Sequence, residues 1–319
     1  MGTYVIRRLL LMVPTVIGVA ILVFVVLRFT PGDVADLLLA ETLAENDPAA
    51  EQRIREDLGL SGSMITQLGR WFSNLARGDL GASYYSGRSV AEDLWQRLIV
   101  SFELGVLAML ISIAVGVPVG VISALKQDSW IDYVLRGGSI FLLAMPAFWT
   151  AILVLILGLQ WFNWAPPARY VDLWKDPLGN LYMLAIPALI LGINLSTTQM
   201  RFTRAQLLEV MRQDYIRTAW AKGLRSQSVV VRHALKNALI PVVTVIGLQV
   251  PAAITGTVIL ETIFVIPGVG RFLVDAARRA DYPIVQAVTL VVAVAVVTAN
   301  FLVDLSYAYL DPRTREGLR

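Results

Sequence analysis

Long apolar runs alternate with short charge-bearing stretches along nearly the whole chain, and the runs exceed what the interior of a soluble domain needs. A helix crosses hydrocarbon with roughly 20 apolar residues. Six segments meet that condition: about 9–27, 99–125, 133–160, 181–200, 239–260 and 284–310. The fourth is the weakest, because Asn194 and the run Ser196, Thr197, Thr198, Gln199 interrupt it. Pro118, Pro146, Pro187 and Pro251 fall inside spans and predict kinks. The first span follows Arg7 and Arg8 and is longer than the roughly 7–15-residue apolar region of a cleaved signal peptide, so it reads as a retained helix.

Three of the intervening stretches have patterns of their own. Residues 29–98 are too long for a tight connector. Asp47 and Pro48 can start a helix that stops near Gly59, and Ser61 or Ser63 can cap another ending near Gly78. Met64, Leu68, Trp71, Phe72 and Leu75 make an apolar stripe on that second helix, which predicts a small folded insertion. Residues 214–241 read DYIRTAWAKGLRSQSVVVRHALKNALIP, a basic loop patterned as two short helices with a hinge. Ile216, Ala219 and Trp220 share one helical face, Gly223 can end that helix in the left-handed region, and Val229, Val230, Leu235 and Ala238 form a second stripe before Pro241. Between the last two spans, Pro267, Gly268 and Gly270 predict a sharp bend. The flanking Phe264, Val265, Ile266, Val269, Phe272 and Leu273 are apolar enough to fold back into the bilayer edge, where irregular backbone needs protein or a water cavity around it. On this reading Val269 projects toward a pathway, with Phe264 and Ile266 behind it.

With 56% hydrophobic and 16% charged residues, the chain cannot solvate itself as a soluble globule. Its net charge of +3 points to membrane orientation rather than nucleic acid, because the basic residues mostly flank apolar segments. Arg7, Arg8, Lys126, Arg136, the basic residues between Arg201 and Lys236, and Arg313, Arg315 and Arg319 gather on one side. By the positive-inside tendency that side is the cytoplasm, with both termini in it. Arg278 and Arg279 lie on the disfavoured side. At membrane depth Glu103 is the best candidate to face a cavity, whereas Asn300 and Asp304, four apart on one face, suit helix packing.

Chemistry is limited by what is missing. There is no cysteine and a single histidine, His233, which leaves no thiolate or histidine cluster for a metal and implies no bound cofactor. Neither GxxxxGK[ST], HExxH nor GxSxG occurs, so ATP hydrolysis by this chain and the simplest hydrolase readings drop out. A secondary transporter would favour ionisable relays or internal repeats, and an intramembrane enzyme a nucleophile beside a base. These two, and a membrane scaffold without transport, remain the alternatives to an importer subunit.

The loop supplies a resemblance. Ala219, three residues and Gly223, then a second helix and Pro241, resemble the coupling loop in the membrane subunits of bacterial ABC importers, and look most like the dipeptide, oligopeptide and nickel branch. The usual pattern begins Glu-Ala-Ala where this chain has Arg217, Thr218 and Ala219, a departure similar to that of the peptide branch. TYVIRRLL, PGD, GDLG, DYIRTAWAKGL, PGVGR and LDPR follow in the family's order. The resemblance implies an all-α, polytopic membrane protein of six transmembrane helices with a type I importer (MetI-like) core. Its parts would be a first helix at 1–28, an extracytoplasmic insertion at 29–98, a five-helix permease core at 99–310 and a cytoplasmic tail at 311–319. Within the core, a coupling loop would occupy about 201–238 and an outer gate loop about 261–283. The implied partners in the bacterial inner membrane are a second homologous permease, two ATPase subunits and an extracytoplasmic binding protein. Tyr215, Ile216, Ala219, Trp220 and Gly223 would meet the ATPase, and Phe264, Ile266, Pro267, Gly268, Val269 and Gly270 would form the outer gate. Such systems carry di- and oligopeptides, nickel complexes, glutathione, opines or oligosaccharides; peptide is the leading expectation.

Overall fold

The chain folds as helices whose ends are set by caps and prolines. A computed structural model describes residues 2–29, 48–57, 61–167 and 169–310. Helix α1 covers Gly2–Phe29, α2 Pro48–Asp57 and α3 Met64–Ala76. Ser63 caps α3 by accepting a hydrogen bond from the Thr66 amide at 3.3 Å, as its sequence position predicts. Helix α4 runs over Val90–Leu125, α5 over Trp130–Ala144, α6 over Ala147–Phe162 and α7 over Pro177–Met211. Then come α8 at Asp214–Ala221, α9 at Ser226–Leu248, α10 at Val250–Ile263, α11 at Val269–Arg278 and α12 at Tyr282–Leu310. Among the described residues five helices are long and apolar enough to cross a membrane, or six if α5 and α6 count as one bent span. Asp47, Gly59, the PGD run and residues 311–319 lie outside the described residues.

Three spans differ from the sequence expectation. The third is broken, α5 and α6 meeting at 94°. Pro146 has no amide hydrogen and drives Met145 to extended backbone, φ −86° and ψ 116°, which ends one helix and starts the next. The fifth divides at Gln249, after which Pro251 occupies the first turn of α10. The fourth, expected to be the weakest, belongs to the long and deeply buried α7. Its hydroxyls bond within the helix, Ser196 Oγ to the Ile193 carbonyl and Thr197 Oγ1 to the Asn194 carbonyl, both at 2.7 Å, so they do not interrupt it. Pro241 also falls inside a helix rather than ending one, because α9 continues through a π-helical stretch at Val229–Leu235.

The chain divides into two compact units, Ser101–Ile266 with the chain from Thr298 onward, and Gly2–Val100 with Pro267–Val297. The first is organised by contact of α4 with α7. A Cβ added to Gly116 would sit 2.8 Å from the Ser196 carbonyl oxygen, and one at Gly120 2.6 Å from that of Met200. From the other helix, a Cβ at Gly192 would lie 2.7 Å from the Ala108 carbonyl oxygen. These backbones touch because small residues spaced four apart leave room, the general means of packing helices where lipid removes the hydrophobic drive. Gln199, fully buried, donates to Gln249 Oε1 at 2.7 Å and so ties α7 to the turn between α9 and α10.

In the second unit α3 lies on α1. Trp71 stacks on the buried Phe24 with ring centres 5.8 Å apart, and Arg28 Nε donates to Gln67 Oε1 at 2.8 Å. The apolar stripe is thereby partly covered: Leu68, Trp71, Phe72 and Leu75 are half-buried and Met64 is exposed. A separate core gathers Val90, Leu94, Val269, Phe272, Ile284 and Val288.

Because the α4–α7 contact has no space for a methyl group, Gly120→Ala is expected to destabilise the purified protein by about 1–3 kcal/mol. Gly69→Ala, on the exposed side of α3 with nothing within 4 Å of the new atom, is expected to leave stability unchanged or raise it. Thermal unfolding in detergent compares the two directly; equal effects would show that the close approach is not limiting.

Candidate functional site

Helix α8 is short, and its seat is built by other helices of the same chain. Ile216 and Ala219 are buried and pack with Ala124, Leu207, Val229, Ala234 and Ala238. The sequence reading placed them with Trp220 on one face. The structure separates them: Ile216 and Ala219 anchor the helix, while Trp220 and Tyr215 stay 41% and 44% exposed. Hydrophobic spacing defines a stripe but not which part of it the rest of the chain covers. The helix stops as expected, with Gly223 at φ 76°. The Leu224 amide reaches the Ala219 carbonyl at 3.4 Å and the Gly223 amide the Trp220 carbonyl at 2.9 Å, the double closure that a left-handed residue permits. Asn237 Nδ2 donates to the Tyr215 hydroxyl at 2.9 Å and ties α8 to α9.

One helical turn from Leu207 is a charged clamp that sequence spacing did not reveal. Fully buried Asp132, in the first turn of α5, accepts from Arg204 Nε at 2.8 Å and Nη2 at 2.7 Å. It also accepts from Ser123 Oγ of α4 and from the Asp128 amide at 3.1 Å. Four donors converge on one carboxylate, and the paired fork of arginine fixes both charge and angle. Through it the ends of α4, α5 and α7 are held beside the seat of α8. Asp132 and Arg204 are 72 residues apart, so no local pattern could have paired them.

The segment 264–270 is less exposed than its composition suggests. Phe264 and Ile266 are buried, and Val269, at 3% exposure, starts α11 and joins the core of Val90, Leu94 and Phe272. Pro267 and Gly268 lead into that helix, Gly268 with ψ −179° as its N-cap, and Gly270 is helical. The reversal instead occurs at Val265, φ 59°, whose side chain is 54% exposed. A β-branched residue in the left-handed region is strained, and nothing in the sequence favours it there over the nearby glycines.

Glu103 is half-buried and engaged. Its Oε2 accepts from the Tyr170 hydroxyl at 2.6 Å and from Asn180 Nδ2 at 3.0 Å, and Asn180 Nδ2 also donates to the Val171 carbonyl at 3.0 Å. Burial, and then the adjacent Glu103 carboxylate, push the Tyr170 phenol above its ordinary pKa, keeping it a hydrogen-bond donor. The carboxylate therefore fixes the loop between α6 and α7. Asn300, expected to pack, is exposed.

Residues 116–316, which include the α8 seat, the Asp132 partner Arg204 and the 264–270 segment, match the model of the family described as binding-protein-dependent transport system inner membrane component. The chain belongs to that family. It is a multi-pass membrane protein and an ABC transport permease. Its relatives include the dipeptide transport system permease protein DppB of Alkalihalophilus pseudofirmus, 40% identical over 99% of this chain and all of the relative. The DppB protein of Escherichia coli is 37% identical over 98% of each chain, and the oligopeptide transport system permease protein AppB of Bacillus subtilis 36% over 98% and 99%. Among solved structures, an amino acid ABC transporter crystallised with histidines shares the fold, with TM-score 0.51 and 17% identity over 67% of this chain and 92% of that one.

Removing one member of the clamp strands the other in a buried site. Asp132→Ala is expected to destabilise by about 3–5 kcal/mol, and the paired Asp132→Leu/Arg204→Met variant by clearly less. Unfolding of the purified variants checks this, and a double variant worse than the single would contradict the clamp.

Proposed function

We infer that this chain is the transmembrane permease subunit of an ATP-driven importer of di- or oligopeptides, forming half of the translocation pathway. The observation that carries the reading is α8: a helix held by two buried side chains while an aromatic pair, Tyr215 and Trp220, stays exposed, in a chain whose full-length relatives are named peptide permeases. A helix so anchored can receive a push on its exposed face and deliver it to α4, α7 and α9. Loop 214–241 thus couples to a separate ATPase, and Gly223 lets the chain leave the docking helix sharply. ATP hydrolysis belongs to two partner subunits; this chain is non-catalytic. A second, homologous permease completes the pathway.

The charge bias puts α8 and both termini in the cytoplasm and the 29–98 insertion outside, where it helps receive an extracytoplasmic binding protein. The five-helix core at 99–310 then carries the pathway, with the 261–283 loop at its outer mouth. Phe264, Ile266, Pro267, Gly268, Val269 and Gly270 are the residues of that loop assigned to the gate. A dry constriction there stops a polar solute because shedding its hydration is costly.

The complex, reconstituted in vesicles with its binding protein, is expected to accumulate a labelled di- to pentapeptide only with hydrolysable ATP. The double variant Tyr215→Ala/Trp220→Ala should insert normally yet lose about tenfold or more of that uptake. Uptake that persists without ATP would favour a secondary transporter, and ATP-driven uptake of nickel chelates or oligosaccharides but not peptides would overturn the substrate.

A further inference from the structure

Arg278 and Arg279 break the charge bias that orients the chain, and a third arginine, Arg88, belongs to a turn pinned to the end of their helix. Ala82 and Ser89 form an antiparallel bridge, the Ser83 amide donates to the Arg88 carbonyl at 3.0 Å, and the Gly87 amide returns to the Ser83 carbonyl at 3.0 Å. That closed turn is pinned to the end of α11. Ser83 Oγ donates to Asp281 Oδ2 at 2.6 Å, the Tyr84 amide to Oδ1 at 3.3 Å, and the Tyr85 hydroxyl to the Arg279 carbonyl at 2.8 Å. Asp281 is buried, and the Arg279 guanidinium lies 6.0 Å from the centre of the Tyr85 ring. The turn and the end of α11 belong to one compact unit.

Arg88, Arg278 and Arg279 are exposed and form no ion pair among the described residues. Four acidic groups of the same unit are otherwise engaged, while Glu92 is exposed and forms no ion pair with Arg88. Asp281 is held by Ser83 and Tyr84, Asp79 accepts from the Gly81 amide at 2.8 Å, Asp275 faces Arg271 at 3.6 Å and Asp93 interacts with Arg97. Three exposed arginines without an ion pair, on this turn and the helix end it is pinned to, together with the half-buried Tyr84 and Tyr85, combine the side chains that dominate binding hot spots with a charge that selects acidic partners. A lipid surface would attract the same charge, but needs no turn locked by a buried carboxylate.

Resting on the reading that this face is extracytoplasmic, we propose that the 83–89 turn, with Arg278 and Arg279, is the docking surface for an acidic patch of the extracytoplasmic binding protein. Docking there loads α11 directly, since Asp281 ties the turn to the end of the helix that Val269 begins.

The test is affinity of the cognate binding protein for the assembled complex in nanodiscs, at about 50 and 300 mM salt, a range over which screening of exposed charges changes markedly. The Arg88→Ala/Arg278→Ala/Arg279→Ala variant is expected to raise Kd about tenfold or more at low salt and to lose most of the salt dependence. Lysine at all three positions should recover most of it. Wild-type affinity and salt dependence in the alanine variant would overturn the proposal, as would a lysine variant as weak as the alanine one. So would unchanged affinity with loss of an anionic-lipid effect on ATPase activity, which would assign the arginines to lipid. If the triple variant fails to assemble, Arg278→Gln and Arg279→Gln are measured singly; each should weaken binding about two- to fivefold, and wild-type affinity in both overturns the surface. No binding by the wild-type complex would instead overturn the functional reading itself.

Discussion

The contact on which the permease core depends is the backbone approach of α4 to α7 at Gly116, Gly120 and Gly192. In lipid, apolar side chains gain little by leaving one apolar medium for another, so helices associate through close packing and internal hydrogen bonds. The absence of side chains at these three positions supplies the first, and Gln199 and Gln249 supply part of the second. With α7 fixed, Arg204 and Leu207 are fixed as well. The first closes the buried clamp on Asp132, and the second lies under α8.

Two kinds of holding thus meet at one end of the helical core. Burial of Ile216 and Ala219 is non-directional, favours burial over any particular angle, and lets α8 settle against Val229 and Ala238. The Asp132–Arg204 fork is directional and fixes how α5 stands against α7. A push on Tyr215 and Trp220, as the proposed coupling requires, would therefore reach a packed, charge-clamped group of helices rather than a loop. The π-helical stretch in α9 and the break at Met145–Pro146 interrupt regular helix in that same compact unit, and π-helical interruptions inside α-helices are frequent at functional sites.

Much of this was legible in the sequence because it rests on local chemistry. Apolar run length finds helices that can span, Ser63 caps because its hydroxyl can reach an amide three residues on, and Gly223 takes the left-handed backbone that ends α8. What was missed depends on what lies opposite. Ile216 and Trp220 look equivalent in one dimension, and only the seat formed by Ala124 and Leu207 distinguishes anchor from exposed face. Asp132 and Arg204 pair across 72 residues. At the 264–270 segment, glycines mark a bend correctly but not its pivot, which falls on Val265 because burial of Phe264 and Ile266 on either side sets the backbone between them.

The central claim is that α8 keeps one face for the permease and offers the other to the ATPase. Because the chain has no cysteine, Ile216→Cys and Trp220→Cys can each carry a thiol-linked benzophenone in the assembled complex. Irradiation should crosslink position 220 to the ATPase subunit and leave position 216 without an intersubunit product. A crosslink from 216 to the ATPase, or none from 220, would contradict the account.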